Sequence, residues 1–199
     1  MTITKLEPID SKRYKVYIDY EYSFMLYQTD IKRYHLEEEK EINKEIYHKI
    51  IEDTVYRRAK KKALAILKYM DRTESELYTK LKQAYYTDDI IQRTIEYIKS
   101  YHYIDDERYT RNYIQFKKNT KSKKQIQFEL YRKGIDKNLI ERFIESDLKS
   151  DTIALQKAIH KKTDNPEDLS YKEKQKLIAS LCRKGFLYDD IIKYFRIYE

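Results

Sequence analysis

The N-terminal part of the chain alternates or clusters apolar and polar positions with the short period of β-strands. β-Branched and aromatic side chains recur in three runs, Thr2–Leu6, Tyr14–Ile18 and Tyr22–Leu26. Such runs are typical of strands and predict a three-stranded meander with a turn at Asp19–Glu21. Because three strands without a second layer are marginal, we expect them to pack on helices, a short one near Thr29–Tyr34 and a long one from about Asn43.

From about Asp53 onward the apolar positions follow a helical period, and the pattern occurs three times. Aligning Leu81, Leu130 and Leu181, which lie 49 and 51 residues apart, superimposes three further sets of apolar residues. These sets are Leu77, Ile126 and Leu177; Ile91, Ile140 and Ile191; and Ile95, Ile144 and Phe195. A recurrence of this kind predicts tandem structural units that share a core.

Signals for the start and end of a helix recur with the same spacing. The capping-box pairs are Thr73 with Glu76, Ser122 with Gln125, and Ser170 with Glu173. In such a box the hydroxyl and the later side chain each satisfy an orphan backbone group at a helix start. Gly134 and Gly185 lie four residues past their aligned leucines, where a left-handed residue ends a helix. Tyr85 holds that place in the first unit, so its cap is predicted to differ.

These patterns together predict a mainly α fold of tandem three-helix repeats, preceded by a small N-terminal β-containing segment. The predicted boundaries place the strand-rich segment with its short helix at residues 1–52, and the three repeats at 53–103, 104–149 and 150–199. A single three-helix unit buries too little apolar surface to be stable alone. We therefore expect neighbouring repeats to form an elongated array.

Composition narrows the class further. The 199 residues include only two glycines and two prolines, too few for a many-stranded β-protein or a glycine-rich phosphate loop. One cysteine excludes a disulfide framework and a thiolate metal site, which favours a cytoplasmic setting. No run resembles a signal peptide or a membrane span. The charge is uneven: residues 1–56 carry 9 basic and 12 acidic side chains, and residues 57–199 carry 33 and 22.

Several motifs, in this order and spacing, resemble the signatures of the RecX family of bacterial regulatory proteins. The similar segments are Thr73–Leu77 with Leu81, Tyr103–Tyr109 with Tyr113, and Glu129–Ile135; Ile3–Glu7 and Tyr14–Ile18 resemble a strand segment that precedes the repeats in some members. The sequence departs from the family pattern at His102 and at Tyr85–Tyr86, where glycine is frequent. The resemblance spans nearly the whole chain.

The resemblance implies a function that no periodicity could give. Members of this family bind the RecA recombinase, lodge in the groove of its filament on DNA, and restrain its ATP hydrolysis, strand exchange and co-protease activity, in DNA repair and the SOS response. A basic helical array suits a filament that contains DNA. The alternative is a helical DNA-binding protein or transcriptional regulator that acts alone, with one unit serving as a helix-turn-helix. The sequence shows no zipper or self-complementary helix, which favours a monomer.

Two basic clusters are the candidate contacts with nucleic acid or with the filament. Residues 57–62 carry five positive charges, and residues 117–133 carry seven basic side chains against Glu129. The candidate residues in these clusters are Arg57, Arg58, Lys60, Lys61, Lys62, Lys117, Lys118, Lys121, Lys123, Lys124, Arg132 and Lys133, and Arg183 and Lys184 join them from the third repeat. The competing interpretation is a solvated face, and for the pairs 132–133 and 183–184 a favourable interaction with the helix dipole explains the charges equally well.

The remaining residues point away from catalysis. The carboxylates of Asp105–Glu107, Asp88–Asp89 and Asp189–Asp190 fall at predicted helix starts, where acidic side chains stabilise the dipole. The four histidines lack metal-ligand spacing, and Cys182 is expected on a helix near the core. Aromatic rings beside cations, as at Tyr109, Tyr113, Tyr131 and Tyr171, can stack on unpaired bases. Most of these tyrosines fall at helical core spacing, and a composition rich in Tyr, Lys and Ile gives the same pattern, so a core role is the favoured interpretation. The sequence thus predicts a protein that is not an enzyme and that has no cofactor or metal.

Overall fold

The computed structural model describes residues 1–148 and 150–197, without the side chain of Ile197. The described chain forms two compact units, the first ending at Asp105 and the second beginning at Asp106. The fold is mainly helical, with three tandem three-helix groups after a small antiparallel sheet, which confirms the predicted fold class. The predicted repeat boundaries stay predictions, and two of their ends, residues 149 and 199, lie outside the described residues.

The first unit opens with the predicted meander. Strands β1 (Ile3–Pro8), β2 (Arg13–Ile18) and β3 (Glu21–Tyr27) pair antiparallel in sequence order. The hairpin from β2 to β3 needs no glycine because Asp19 and Tyr20 both adopt positive φ, 49° and 69°, as the two central residues of a type I′ turn do.

Six helical segments complete the first unit. They are α1 (Gln28–Arg33), α2 (Lys44–Lys49), a π-helical turn (Ile50–Tyr56), α3 (Arg57–Tyr69), α4 (Glu74–Gln83) and α5 (Asp88–Ser100). Asn43 starts α2 by accepting a hydrogen bond from the Ile46 N–H. The inner face of the sheet and these helices share one core, to which Phe24, Ile50 and Leu81 contribute fully buried side chains.

The second unit contains two three-helix groups. The first consists of α6 (Asp106–Lys117), α7 (Lys123–Arg132) and α8 (Lys137–Asp147), and the second of α9 (Thr152–His160), α10 (Tyr171–Arg183) and α11 (Tyr188–Ile197). Leu130 and Leu181 lie buried in the two cores of this unit. In the described residues no helix is both long and apolar enough to cross a membrane.

The helix starts follow the capping signals. Thr73 and Ser170 each form a complete capping box with the glutamate three residues later. Ser122 accepts a hydrogen bond from the Gln125 N–H at 3.2 Å. Its hydroxyl also donates to the Lys184 carbonyl, so the start of α7 is bonded to the end of α10.

The second helix of each three-helix group ends in the same way, and the prediction of a different cap at Tyr85 is wrong. Tyr85, Gly134 and Gly185 have φ of 65°, 80° and 85°. In each case the N–H of the next residue donates to the carbonyl of the aligned leucine, as in a Schellman motif. The β-sheet holds the non-glycine residue in place: the Tyr22 hydroxyl donates to the Tyr85 carbonyl, and the Arg13 guanidinium lies 5.8 Å from the Tyr85 ring.

Candidate nucleic-acid or filament interface

The first basic cluster, residues 57–62, lies on the first two turns of α3. Ala59 and Ala63 turn inward and are fully buried, so the helical period places Arg57, Lys61 and Lys62 outward, where all three are exposed. These three cations form the accessible part of the cluster. They are available for phosphates or for acidic side chains.

Arg58 of the same cluster is held by a carboxylate inside the unit. Its guanidinium forms a bidentate pair with Asp30, in which the Nη2–Oδ1 distance is 2.9 Å. Asp30 is only 4% exposed and also accepts a hydrogen bond from the Tyr27 N–H at 3.0 Å. The hydrogen bond to Asp30 raises the pKa of Arg58 above its ordinary value. A structural role therefore competes with the predicted contact role of Arg58, which stays a prediction.

Lys60 lies between two aromatic rings. Its Nζ is 4.3 Å from the ring centroid of Tyr56 and 4.7 Å from that of Tyr97. Arg93 also lies 4.3 Å from the Tyr56 ring and pairs with Glu52. These cation–π contacts hold the Lys60 ammonium group against the two rings. Its predicted contact with an external partner stays a prediction.

The second cluster surrounds the junction of α6 and α7. Lys121 pairs with Glu129, which also accepts a hydrogen bond from the Tyr113 hydroxyl at 2.6 Å. Burial of Glu129 acts to raise its pKa, but the hydrogen bonds from Lys121 and Tyr113 outweigh burial and lower that pKa. Lys118 donates to the Gln115 side chain at 2.6 Å. Lys121 thus has an internal partner, as Arg58 does.

Two further lysines begin α7. The backbone N–H of Lys123 donates to Asp151 at 2.9 Å, which ties the N-terminus of α7 to the segment that precedes α9. Lys124 is exposed. Lys117, at the end of α6, is half-buried, with its Nζ 4.7 Å from the Phe116 ring.

The basic pairs at the helix ends lie where the dipole interpretation placed them. Arg132 is the last residue of α7 and Lys133 is its C-cap, while Arg183 and Lys184 hold the same positions in α10. Lys133 is half-buried, and its Nζ lies 5.5 Å from the Tyr109 ring. Cations at these positions are favoured by the helix dipole whether or not a partner binds.

The structure brings Lys121 and Lys184 together in a groove of about 320 Å³ in the second unit. Two lysines that sequence reasoning missed, Lys157 and Lys161 of the α9 region, line the same groove, with Phe186 at its wall. Lys157 and Lys161 are four residues apart, which places them on one helical face. That spacing was visible in the sequence, but the approach of this face to Lys121 depends on tertiary packing.

The tyrosine interpretation holds for two of the four residues. Tyr109 and Tyr113 are half-buried, with ring centroids 6.1 Å apart. Tyr131 and Tyr171 are exposed, so their assignment to the core is wrong. Phe128, also exposed, lies three residues before Tyr131 on α7. Cys182 is on α10 as expected but is exposed, because it lies on the side of that helix away from the core.

The acidic side chains lie at helix starts, and two of them pair with cations. Asp106 and Glu107 are in the first turn of α6, and Glu107 pairs with Arg142 at 2.7 Å. Asp88, in the first turn of α5, accepts from Lys82 at 2.7 Å, and this hydrogen bond lowers the pKa of the carboxyl. Within residues 1–148 and 150–197 no three or more His, Cys, Asp or Glu side chains cluster as metal ligands would.

The three three-helix groups of the structure correspond to domains of known proteins. Residues 59–97, 105–143 and 153–195 match family models described as the first, second and third three-helix domains of RecX. The chain is 32% identical to the regulatory protein RecX of Clostridium acetobutylicum over 198 residues, which cover 96% of this chain and 92% of that protein. It is 31% identical to the regulatory protein RecX of Finegoldia magna, covering 95% and 96% of the two chains.

Two solved structures are similar over most of their length. One, the crystal structure of a regulatory protein RecX, gives a TM-score of 0.63 at 22% identity and 98% coverage of both chains. The other, RecX from Lactobacillus salivarius, gives a TM-score of 0.61 at 29% identity, covering 71% of this chain and 97% of that one.

Proposed function

Because the chain belongs to the RecX family of regulatory proteins, we propose that it binds filaments of the RecA recombinase on DNA. In this proposal it restrains ATP hydrolysis, strand exchange and co-protease activity, and so regulates DNA repair and the SOS response. The observation that carries the proposal is similarity to regulatory proteins named RecX over 96% of the chain.

The distribution of charge supports this proposal. The excess of positive charge belongs to residues 57–199, while residues 1–56 are slightly acidic. Exposed cations in both units suit a partner whose surface carries phosphates, since each neutralised phosphate releases counterions. The function needs binding alone: the protein acts as a monomer in the cytoplasm, without a catalytic step, cofactor or metal.

The direct test adds the purified protein to RecA filaments on single-stranded DNA and follows ATP hydrolysis. A rate that falls with protein concentration and saturates is the expected result. An unchanged rate at saturating protein would contradict the proposal. Binding to duplex DNA together with an unchanged rate would instead support the stand-alone DNA-binding protein.

A further inference from the structure

One face of α7 exposes two aromatic rings between two cations. Lys124, Phe128, Tyr131 and Arg132 recur at intervals of four, three and one residues, which places them on one side of a helix. We call this set the aromatic face of α7. The opposite side of the helix is buried in the core of its repeat through Ile126, so α7 is already anchored without the aromatic face.

The two rings contribute little to folding. Phe128 is 61% exposed and Tyr131 is 65% exposed. Single exposed aromatic side chains are ordinary, but two on one face with flanking cations are a different arrangement. The Arg132 guanidinium lies 5.8 Å from the Phe128 ring.

We propose that the aromatic face of α7 binds unpaired bases of single-stranded nucleic acid, with Phe128 and Tyr131 stacking on bases and Lys124 and Arg132 contacting the flanking phosphates. Aromatic rings beside cations are the elements that single-strand-binding surfaces combine. Phe128 and Tyr131 are three residues apart, about 4.5 Å along the helix axis. Both rings therefore lie within one turn of α7, where a single strand can reach them together.

Charge favours a negatively charged occupant over an apolar protein surface, and the two exposed rings favour nucleic acid among negatively charged occupants because bases offer flat faces for stacking. The one acidic residue of α7, Glu129, pairs with Lys121 and accepts from Tyr113, so it is turned away from the aromatic face. Both ends of the aromatic face are therefore positive, as alternating phosphates and bases require. The inference rests on the proposed contact with DNA, but it does not depend on the recombinase.

Because the sequence contains no tryptophan, the fluorescence of a single introduced tryptophan reports binding at its own position. F128W and Y131W each introduce a single tryptophan on the aromatic face, and Y20W places one at a tyrosine that is 89% exposed in the β2–β3 turn. The ligands are an oligothymidylate of about 12 nucleotides, within the usual range of site sizes, and an abasic oligomer of equal length and charge.

If the rings stack on bases, oligothymidylate should strongly quench the tryptophan fluorescence of F128W and Y131W, and the abasic oligomer should quench it weakly. The fluorescence of Y20W should respond to neither oligomer. Equal quenching by both oligomers would overturn the stacking assignment. Quenching by neither, or by the recombinase protein without DNA, would overturn the choice of nucleic acid as the occupant.

A second measurement separates rings from charges. The variant F128L/Y131L should bind oligothymidylate at least tenfold more weakly with an unchanged salt slope, because base stacking is lost and phosphate contacts remain. K124Q/R132Q should lower the log–log salt slope by about 1.4, or about 0.7 for each phosphate. Thermal melts must match wild type. Unchanged affinity in F128L/Y131L would overturn the inference.

The two proposals fail separately. If neither F128W nor Y131W is quenched while the protein still slows ATP hydrolysis by filaments, the aromatic face is not a base-binding site and the proposed function stands. If oligothymidylate quenches but ATP hydrolysis is unchanged, the aromatic face stands and the regulation of the recombinase fails.

Discussion

At the scale of single residues, the pair between Asp30 and Arg58 is an ionic contact with a buried carboxylate. Because Asp30 is 4% exposed, removal of Arg58 leaves a carboxylate buried without its cation. Loss of one partner from a fully buried pair costs about 3–5 kcal/mol. The Arg58 side chain is itself about a third exposed, so we expect R58M to lower the free energy of unfolding by about 2–4 kcal/mol, as measured by urea denaturation.

The matched control is R57M, one residue earlier on the same helix. Arg57 is exposed, and exposed substitutions usually change stability by less than about 0.5 kcal/mol. Equal stability of R58M and R57M would show that the Asp30 pair contributes nothing. Filament binding is measured on the same two proteins under conditions where both are folded. A loss of binding by R58M then reports the predicted contact role of Arg58, and a loss of stability alone reports its structural role.

Tyrosines that folding buries make the protein sensitive to alkali. Burial raises the pKa of Tyr86 to about 12, and burial also raises the pKa of Tyr22. An unfolded tyrosine ionises near pH 10. Above that pH the unfolded chain binds fewer protons than the folded chain, so the free energy of unfolding falls as the pH rises toward the folded pKa.

We therefore expect the free energy of unfolding of Y86F to fall less steeply with pH than that of the wild type between about pH 10 and 12. The slope should decrease by up to about 1.4 kcal/mol per pH unit, the effect of one proton. Urea denaturation at a series of pH values measures this slope. Y20F, which changes a tyrosine that is 89% exposed, is the control and should keep the wild-type slope. If the slopes of Y86F and Y20F agree, Tyr86 does not cause the alkaline sensitivity.

Local sequence could not reveal these residue-scale roles. Arg58 stands in a run of five cations, and its partner is 28 residues away on another helix, so nothing in the run distinguishes it from Arg57. Tyr85 was expected to change the helix end because a left-handed tyrosine costs about 1–2 kcal/mol. The expectation failed because the contacts with Tyr22 and Arg13 come from the sheet.

At the scale of elements, the repeat register can be tested at Leu130. This side chain is fully buried in the core that α7 shares with α6 and α8. L130A should therefore destabilise the protein by about 2–5 kcal/mol, the usual range for a buried leucine cavity. The same change at the exposed Leu187, L187A, should cost less than about 0.5 kcal/mol. A loss below about 0.5 kcal/mol for L130A, measured by urea denaturation, would contradict the register.

The bond between α7 and the end of α10 depends on a glycine. A Cβ on Gly185 would lie 2.9 Å from both the Ser122 Oγ and the Lys124 Cβ, and its φ of 85° disfavours any side chain. Gly134 has nearly the same φ, 80°, but is exposed, so G134A is the matched control. We expect G134A to cost about 1–2 kcal/mol from backbone strain, and G185A to cost at least about 1 kcal/mol more from overpacking.

Thermal or urea unfolding of the two glycine variants measures this difference. Equal destabilisation of G185A and G134A would show that the contact between α7 and α10 relaxes without cost. A further variant, S122A, removes the hydroxyl from Ser122 and with it both of the hydrogen bonds that this group makes.

The elements themselves were predictable because their signals are local. Strand alternation, the aligned leucines and the capping residues each act within one or two turns of their own position, and the structure places helix starts at Thr73, Ser122 and Ser170. The groove that joins Lys121 to Lys157 was not predictable, since it depends on how α9 packs beside α7.

At the scale of the whole molecule, net charge and local charge must be separated before any cluster is called an interface. The protein carries +8 overall, and any loss of positive charge weakens attraction to DNA at a distance. A cluster that makes direct contact adds a second effect, because each lost phosphate contact lowers the salt dependence of binding. Only the second effect identifies a surface.

The junction of α6 and α7 offers a sharp test of this kind. The sequence suggests changing Lys117, Lys118, Lys121, Lys123 and Lys124 together to glutamate. The structure favours K117E/K118E/K124E, because glutamate at position 121 would oppose Glu129. Glutamate forms helices about as well as lysine, so the fold should persist. We expect filament binding to weaken at least tenfold, with a log–log salt slope lower by about 2, or about 0.7 for each of three contacts.

The control K32E/K44E/K49E changes the net charge by the same amount at three exposed lysines in residues 1–56. It should weaken filament binding only slightly and keep the wild-type salt slope, because it alters the long-range field without removing a contact. Salt titrations of filament binding, with a thermal melt of each protein, compare the two variants. If both variants lose affinity equally with the same slope, the junction of α6 and α7 is a solvated face, and the contact must then be sought at Arg57, Lys61 and Lys62, which α3 leaves exposed.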